Sequence, residues 1–243
     1  MIRVEDLRKH FGEVPAVDGI SFEAPDGQVT GLLGPNGAGK TTTLRMLYGL
    51  MSPDAGHIEV DGSQVADDPQ AAQAKMGILP DSRGLYPRLT PREHLRYFGQ
   101  LHQLDAPTLD ARIDELVQRL DMGSIVDRRA EGFSQGERVK TALGRALVHD
   151  PANVILDEPT NGLDVMGTRA MRSLIRRMRE EGKCVLFSSH IMQEVSALCD
   201  RIIIISTGRI VAAGTPDELR EQSGQANLED AFVVLTGLDE VAP

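Results

Sequence analysis

Apolar positions change their spacing twice along this chain, and the changes divide it. Through the first third they come in short clusters rich in β-branched and aromatic residues: "IRVEDL" from residue 2, "GISFEA" from 19 and "QVTGLLG" from 28, the last two separated by "PDG". Such clusters between turn formers predict strands. "HIEV" followed by "DG" reads as a strand and hairpin turn, and "KMGILP" as a short strand stopped by Pro80. From residue 90 the period lengthens. Thr90, Pro91 and Glu93 have the spacing of a capping box with proline at the first helical position. Leu109, Ile113, Leu116, Val117 and Leu120 then recur at helical spacing and predict an amphipathic helix over 107–120. Residues from about 85 to 150 therefore form a helical insert. Beyond it strand and helix alternate: "NVILD", "TRAMRSLIRRMRE", "CVLFSS", "MQEVSALC", "RIIIIS". That alternation predicts a parallel sheet flanked by helices. "TGRIVAAG" adds a turn and strand, and "PDELREQ" a short helix.

Composition narrows the class. With 243 residues the chain can bury a substantial core in one large or two small units, and 41% hydrophobic with 26% charged residues fits a soluble globular protein. A formal charge of −10 argues against a general nucleic-acid surface, which needs clustered Lys and Arg. The basic stretch from Arg172 to Arg179 reads as a solvated helix face. The opening "MIRVEDLRKH" is charged from residue 3 and lacks the apolar core of a secretory signal. No apolar run approaches the roughly 20 residues of a membrane span. Cys184 and Cys199 lie in apolar elements without metal-ligand spacing and read as reduced core thiols of a cytoplasmic protein.

Two stretches carry chemistry. "GPNGAGKTT" follows an apolar strand and opens a helical run, comprising Gly34, Pro35, Asn36, Gly37, Ala38, Gly39, Lys40, Thr41 and Thr42. It matches the phosphate-loop pattern: glycines let successive N–H groups curl inward at phosphate, Lys40 reaches the β and γ phosphates, and the Thr41 hydroxyl ligates Mg²⁺. The following helix turns its positive end toward the same anion. In "VILDEP", an apolar strand delivers Asp157 and Glu158 to its carboxyl end. Adjacent strand residues point to opposite sides, so the two carboxylates have different jobs. Beside a phosphate loop, Asp157 is placed to hold Mg²⁺ and Glu158 to orient and deprotonate water. "FSQGE" at 133–137, read from its residues alone, is only a helix start.

"GPNGAGKTTT", "FSQGE", "LDEPTNGLD" and "SSHIMQEV" occur in an order and spacing that resembles ATP-binding-cassette (ABC) nucleotide-binding subunits, across nearly the whole chain. "SSHIMQEVSALCDR" and "LEDAFVVLTG" are similar to segments of the sodium-exporting branch of cassette exporters. This resemblance implies an α/β fold in which a P-loop core carries an N-terminal antiparallel β subdomain and a helical subdomain. One nucleotide-binding domain would span 1–243, with 1–84 and 151–243 as core and roughly 85–150 as the insert. The resemblance also implies ATP and Mg²⁺ as ligands, and a second copy or a related subunit stacked head to tail. Ser134, Gln135 and Gly136 would then serve the other subunit's ATP. Phe11 would stack on adenine, His190 reach the γ-phosphate, and Asp164 touch the opposite subunit. It further implies a separate multi-span membrane permease contacted through "PDSRGLYPRLT" at 80–90, and a peripheral location on the cytoplasmic face of the membrane, with no nucleic-acid partner.

The chain departs from that family in places. Asp81 stands where the family carries a glutamine that offers its carbonyl oxygen to Mg²⁺, which suggests retained metal binding with altered coupling. Phe133, Gln135 and Glu137 replace the usual leucine, glycine and glutamine, from which slower hydrolysis is expected rather than none. A soluble ATP-dependent regulatory cassette not coupled to transport is the alternative. A cassette acting on ribosomes or DNA is disfavoured by the single cassette and the acidic charge, and a P-loop kinase would leave "FSQGE" and "SSH" unexplained.

Overall fold

The computed structural model describes residues 1–82 and 84–237; Arg83 of the 80–90 loop and residues 238–243 of the expected core lie outside the described residues. Strands β1 (Ile2–Phe11) and β2 (Val14–Ala24) pair antiparallel across a two-residue turn. Both run further than their apolar clusters because backbone pairing carries polar residues along an exposed face. A register shift between Val4 and Leu7, where Asp6 takes φ 42, is a bulge that keeps Ile2, Val4 and Leu7 all buried. Fully buried β3 (Val29–Leu33) leads through the glycine-rich loop to α1 (Lys40–Leu47). β4 (Ala55–Val60) turns at Asp61 and Gly62, both at positive φ, into β5 (Ser63–Gln64). Helix α2 (Pro69–Ala74) and β6 (Met76–Leu79) follow.

The insert holds α3 (Pro91–Leu101), α4 (Ala106–Arg119) and α5 (Gln135–Leu147). The capping box at Thr90 and Glu93 is formed, and the helix predicted over 107–120 is α4, one residue earlier at each end. After it come β7 (Asn153–Asp157), α6 (Val165–Glu180), β8 (Cys184–Ser189), α7 (Met192–Leu198), β9 (Arg201–Ser206), β10 (Arg209–Gly214), α8 (Pro216–Ser223) and α9 (Leu228–Thr236).

Two sheets result. One is antiparallel, ordered β2-β1-β4-β5; the other, ordered β10-β9-β3-β8-β7-β6, is parallel except for its edge strand β10. Alternate residues of the parallel strands feed two cores, as a period of two requires. Leu33, Leu156, Phe187 and Ile204 join the core of α3–α7, while Leu32, Ile155, Leu186 and Ile203 pack with α1 and the antiparallel sheet. Cys184 and Cys199 are buried and free, and burial pushes the Cys184 thiol up to about 12. β3, β7 and β8 are parallel, so all three end on the same side of the sheet, where ligands bind in open α/β folds.

Candidate functional site

β3 ends on Gly34, and the loop that follows is pressed from both sides. A Cβ at Gly34 would lie 2.3 Å from the Ile205 carbonyl oxygen; one at Gly39, at φ +105, would lie 2.4 Å from that of Ala16. Only glycine fits either place. Lys40 is 6% exposed, and its Nζ donates to the carbonyls of Gly34 (2.6 Å) and Pro35 (3.2 Å). Burial depresses its pKa, against the pull of Glu158 and Asp157. Residues Asn36 to Thr42 line a cavity of about 330 Å³ whose far wall is Asp81, Glu158, Asn161 and His190.

Asp157, at the end of β7, is 2% exposed. Ser188 Oγ on β8 donates to its Oδ1 at 2.5 Å and accepts from the Glu158 N–H at 3.0 Å. Burial pushes the Asp157 carboxyl above the usual range; the Ser188 bond opposes this, and the charges of Asp81 and Glu158 add to it. Glu158 itself takes φ 49, a left-handed conformation that costs a non-glycine residue on the order of 1–3 kcal/mol and gathers at functional sites. His190 Nδ1 lies 2.9 Å from Glu158 Oε2. A carboxylate and an imidazole in hydrogen-bond contact thus face the phosphate loop across the cavity.

The remaining residues singled out in the sequence lie elsewhere. Gly34 and Pro35 stand behind the cavity as Lys40's acceptors. Phe11 ends β1 with 51% of its surface exposed. Ser134 caps α5, its Oγ accepting from the Glu137 N–H (3.3 Å) while Glu137 Oε2 accepts from the Ser134 N–H (2.8 Å). Gln135 packs over Gly162, and Gly136 lines a separate apolar cleft between α5 and α6. Asp164 caps α6, accepting from the Gly167 N–H at 2.7 Å. None of Ser134, Gln135, Gly136 and Asp164 lines the phosphate-loop cavity of this chain. In the 80–90 loop, Tyr86 is exposed, touches Tyr97, and donates its backbone N–H to His94 Nε2 at 3.0 Å. The sequence reading missed Asn161, Ala16 and Ser188. Asn161 was visible inside "PTNGLD"; Ala16 acts through its carbonyl and leaves no side-chain trace.

A glycine-rich loop between buried strand and helix, faced by carboxylates from another parallel strand, is the layout of a P-loop nucleotide-binding protein. The sequence pattern of the family described as ABC transporter matches residues 17–161. The chain is 41% identical to the ABC transporter ATP-binding protein NatA of Bacillus subtilis (strain 168), over 96% of this chain and 97% of the relative. The solved structure of an ATP-binding subunit of an ABC transporter superposes with TM-score 0.91 at 30% identity, covering 97% of this chain and 99% of that one. The dimeric structure of a bacterial ABC transporter cassette shares the fold, with TM-score 0.81 at 23% identity over 88% of this chain and 98% of its own. The chain belongs to the ABC transporter family, as an ATP-binding and ATP-hydrolysing subunit. Among the described residues no helix is long and apolar enough to cross a membrane.

Proposed function

We propose that this subunit hydrolyses Mg²⁺-ATP in the cavity between the phosphate loop and the Glu158–His190 pair, and that the reaction drives an exporter. The observation that carries the reading is the 2.9 Å contact of His190 Nδ1 with Glu158 Oε2, opposite Lys40. Glu158 orients the attacking water and takes its proton as the water oxygen bonds to the γ-phosphorus and the bond to ADP breaks. His190, with its hydrogen on Nδ1, donates to Glu158 and holds it in place. Lys40 exchanges its carbonyl acceptors for phosphate oxygens, and Phe11 supplies an exposed ring for adenine. The oxygen donors of Thr41, Asp157 and Asp81 suit Mg²⁺, a hard cation, and the ion when bound offsets phosphate charge. Among the described residues no three carboxylate, imidazole or thiol groups gather into a metal cage, so these donors would hold the ion together with phosphate oxygens.

Glu158→Gln should lower turnover about 100-fold or more, with ATP affinity nearly unchanged; turnover close to that of the native chain would remove Glu158 as base. Asp81→Gln should retain Mg²⁺-dependent turnover while altering its response to the membrane partner. Unchanged turnover and metal dependence in the complex would make Asp81 a bystander.

A second copy, or a related subunit, supplies Ser134, Gln135 and Gly136 to the ATP of the first. This is supported by their absence from the chain's own cavity and by the dimeric cassette that shares the fold. Asp164 lies on the same contact. The core at 1–84 and 151–243 carries nucleotide, and the insert at about 85–150 meets a multi-span permease through the loop at 80–90, with the chain peripheral on the cytoplasmic face of the membrane; the exposed Tyr86 and its neighbour Tyr97 support this contact. Sodium is the cargo we favour, on the likeness of residues 188–201 and 228–237 to the sodium-exporting branch. Capturing the chain from native membranes and assaying turnover with and without sodium tests this: a co-purifying multi-span protein with sodium-dependent turnover is expected, and turnover indifferent to sodium would reject the cargo.

A further inference from the structure

Glu194 is a charged side chain buried to 3% exposure that none of the roles above uses. It lies in the first turn of α7. Its Oε2 accepts from Thr160 Oγ1 at 2.6 Å and faces Ser189 Oγ at 3.5 Å, and that hydroxyl accepts from the Ile191 N–H at 3.0 Å. Oε1 meets Arg172 Nη2 of α6 at 3.9 Å. A carboxylate is costly to bury without such partners, so what they are matters. Thr160 stands two residues after Glu158, and Ser189 one residue before His190.

One carboxylate therefore joins the loop that carries Glu158 to the loop that carries His190. The first loop needs the restraint. Glu158 is held at φ 49, which its own side chain disfavours, so neighbours must fix it. Ser188 Oγ fixes it from the N-terminal side by accepting its N–H, and Glu194 anchors Thr160 on the C-terminal side. We propose that Glu194 is the positioning residue that keeps Glu158 against His190, by clamping the loop after β7 to the loop after β8. Arg172 ties the same carboxylate to α6, the helix that begins at Asp164. The proposal rests on the assignment of Glu158 and His190 to hydrolysis.

The test compares full-length Glu194→Gln, Thr160→Val, Glu158→Gln and the Glu194→Gln/Glu158→Gln double variant. Turnover, ATP affinity and the ring resonances of His190 are measured for each. Glu194→Gln and Thr160→Val should each lower kcat roughly 10- to 100-fold, with ATP affinity changed less than about threefold, and both should move the His190 resonances. In the Glu158→Gln background, Glu194→Gln should lower turnover no further, since a residue acting through Glu158 has nothing left to position. A purely structural role would instead weaken nucleotide binding along with kcat and leave the losses additive, and either result overturns the clamp. So would His190 resonances that stay in place. If Glu158→Gln leaves turnover intact, the assignment of the base fails, and the His190 resonances alone decide whether the clamp exists. Should Glu194→Gln not fold, Thr160→Val, nearly the same shape, carries the measurement.

Discussion

Gly39 and Glu158 face each other across the cavity with backbones in the left-handed half of conformational space, and only one of them is glycine. At Gly39 any side chain would collide with the Ala16 carbonyl, because the loop is wedged against β2. Gly39→Ala should destabilise the chain by about 1–3 kcal/mol and weaken ATP binding at least about tenfold, read by thermal unfolding and nucleotide titration. A second residue shows how burial sets a pH limit. His149 donates to the Met76 carbonyl, stacks on His102 at 3.6 Å between centroids, and is pushed down to about 4 by burial first and by His102 second. The unfolded chain protonates this imidazole near the ordinary histidine value, 6.5, whereas the folded chain resists until about 4. Stability is therefore complete above pH 6.5 and is lost as pH falls toward 4, by a total on the order of 3 kcal/mol. Denaturant titrations at pH 7.5 and 4.5 should show a shallower loss in His149→Gln than in the native chain.

At the scale of elements, caps decided what could be read. The box at Thr90 and Glu93 announced α3, and the helical spacing of leucines announced α4, since each leaves a periodic trace. Helix α2 has the cap Asp68 and proline at its start, but with six residues and Ala72 as its buried side chain it shows no period, and it went unpredicted. α6 begins at Val165, three residues before the predicted start, because exposed Val165 and Met166 contradict the amphipathic pattern while Asp164 supplies the cap. The start of α5 also gives Glu137 a concrete job: it closes a capping box with Ser134 and pairs with Arg128 at 2.7 Å. A capping box accepts Gln as well as Glu, and an exposed ion pair contributes little. Glu137→Gln should thus change stability by less than about 0.5 kcal/mol, whereas Ser134→Ala should cost about 1 kcal/mol. Denaturant midpoints of the two variants check the contrast.

Across the whole molecule, legibility depended on distance along the chain. The phosphate loop is one continuous stretch and could be read in place. The meeting of His190 with Glu158 spans 32 residues and exists because β7 and β8 are parallel neighbours, which the alternation of strand and helix could suggest but not aim. Contacts made through carbonyls, such as Ala16 on the loop, have no residue type to betray them. If two subunits pair as proposed, sedimentation should show ATP-dependent association. Met166→Glu, which places a charge on an exposed apolar residue beside Asp164, should weaken that association about tenfold while leaving nucleotide binding to one subunit unchanged.

The glycine-rich loop is also where the two sheets are sewn together. The Gly208 N–H donates to the Ala38 carbonyl, the Asp18 N–H donates to the Gly208 carbonyl, and Arg209 and Arg8 both hold the Asp18 side chain. Neither Asp18 nor Arg209 lines the cavity. Whatever free energy a bound nucleotide lends to this seam, the seam must lend back to the nucleotide in equal measure. The hairpin of β1 and β2 thus works as a remote dial on affinity: severing Arg209 from Asp18 would loosen the grip on ATP without touching any group that meets it, and ATP in turn would slow hydrogen exchange at the Asp18 and Gly208 amides.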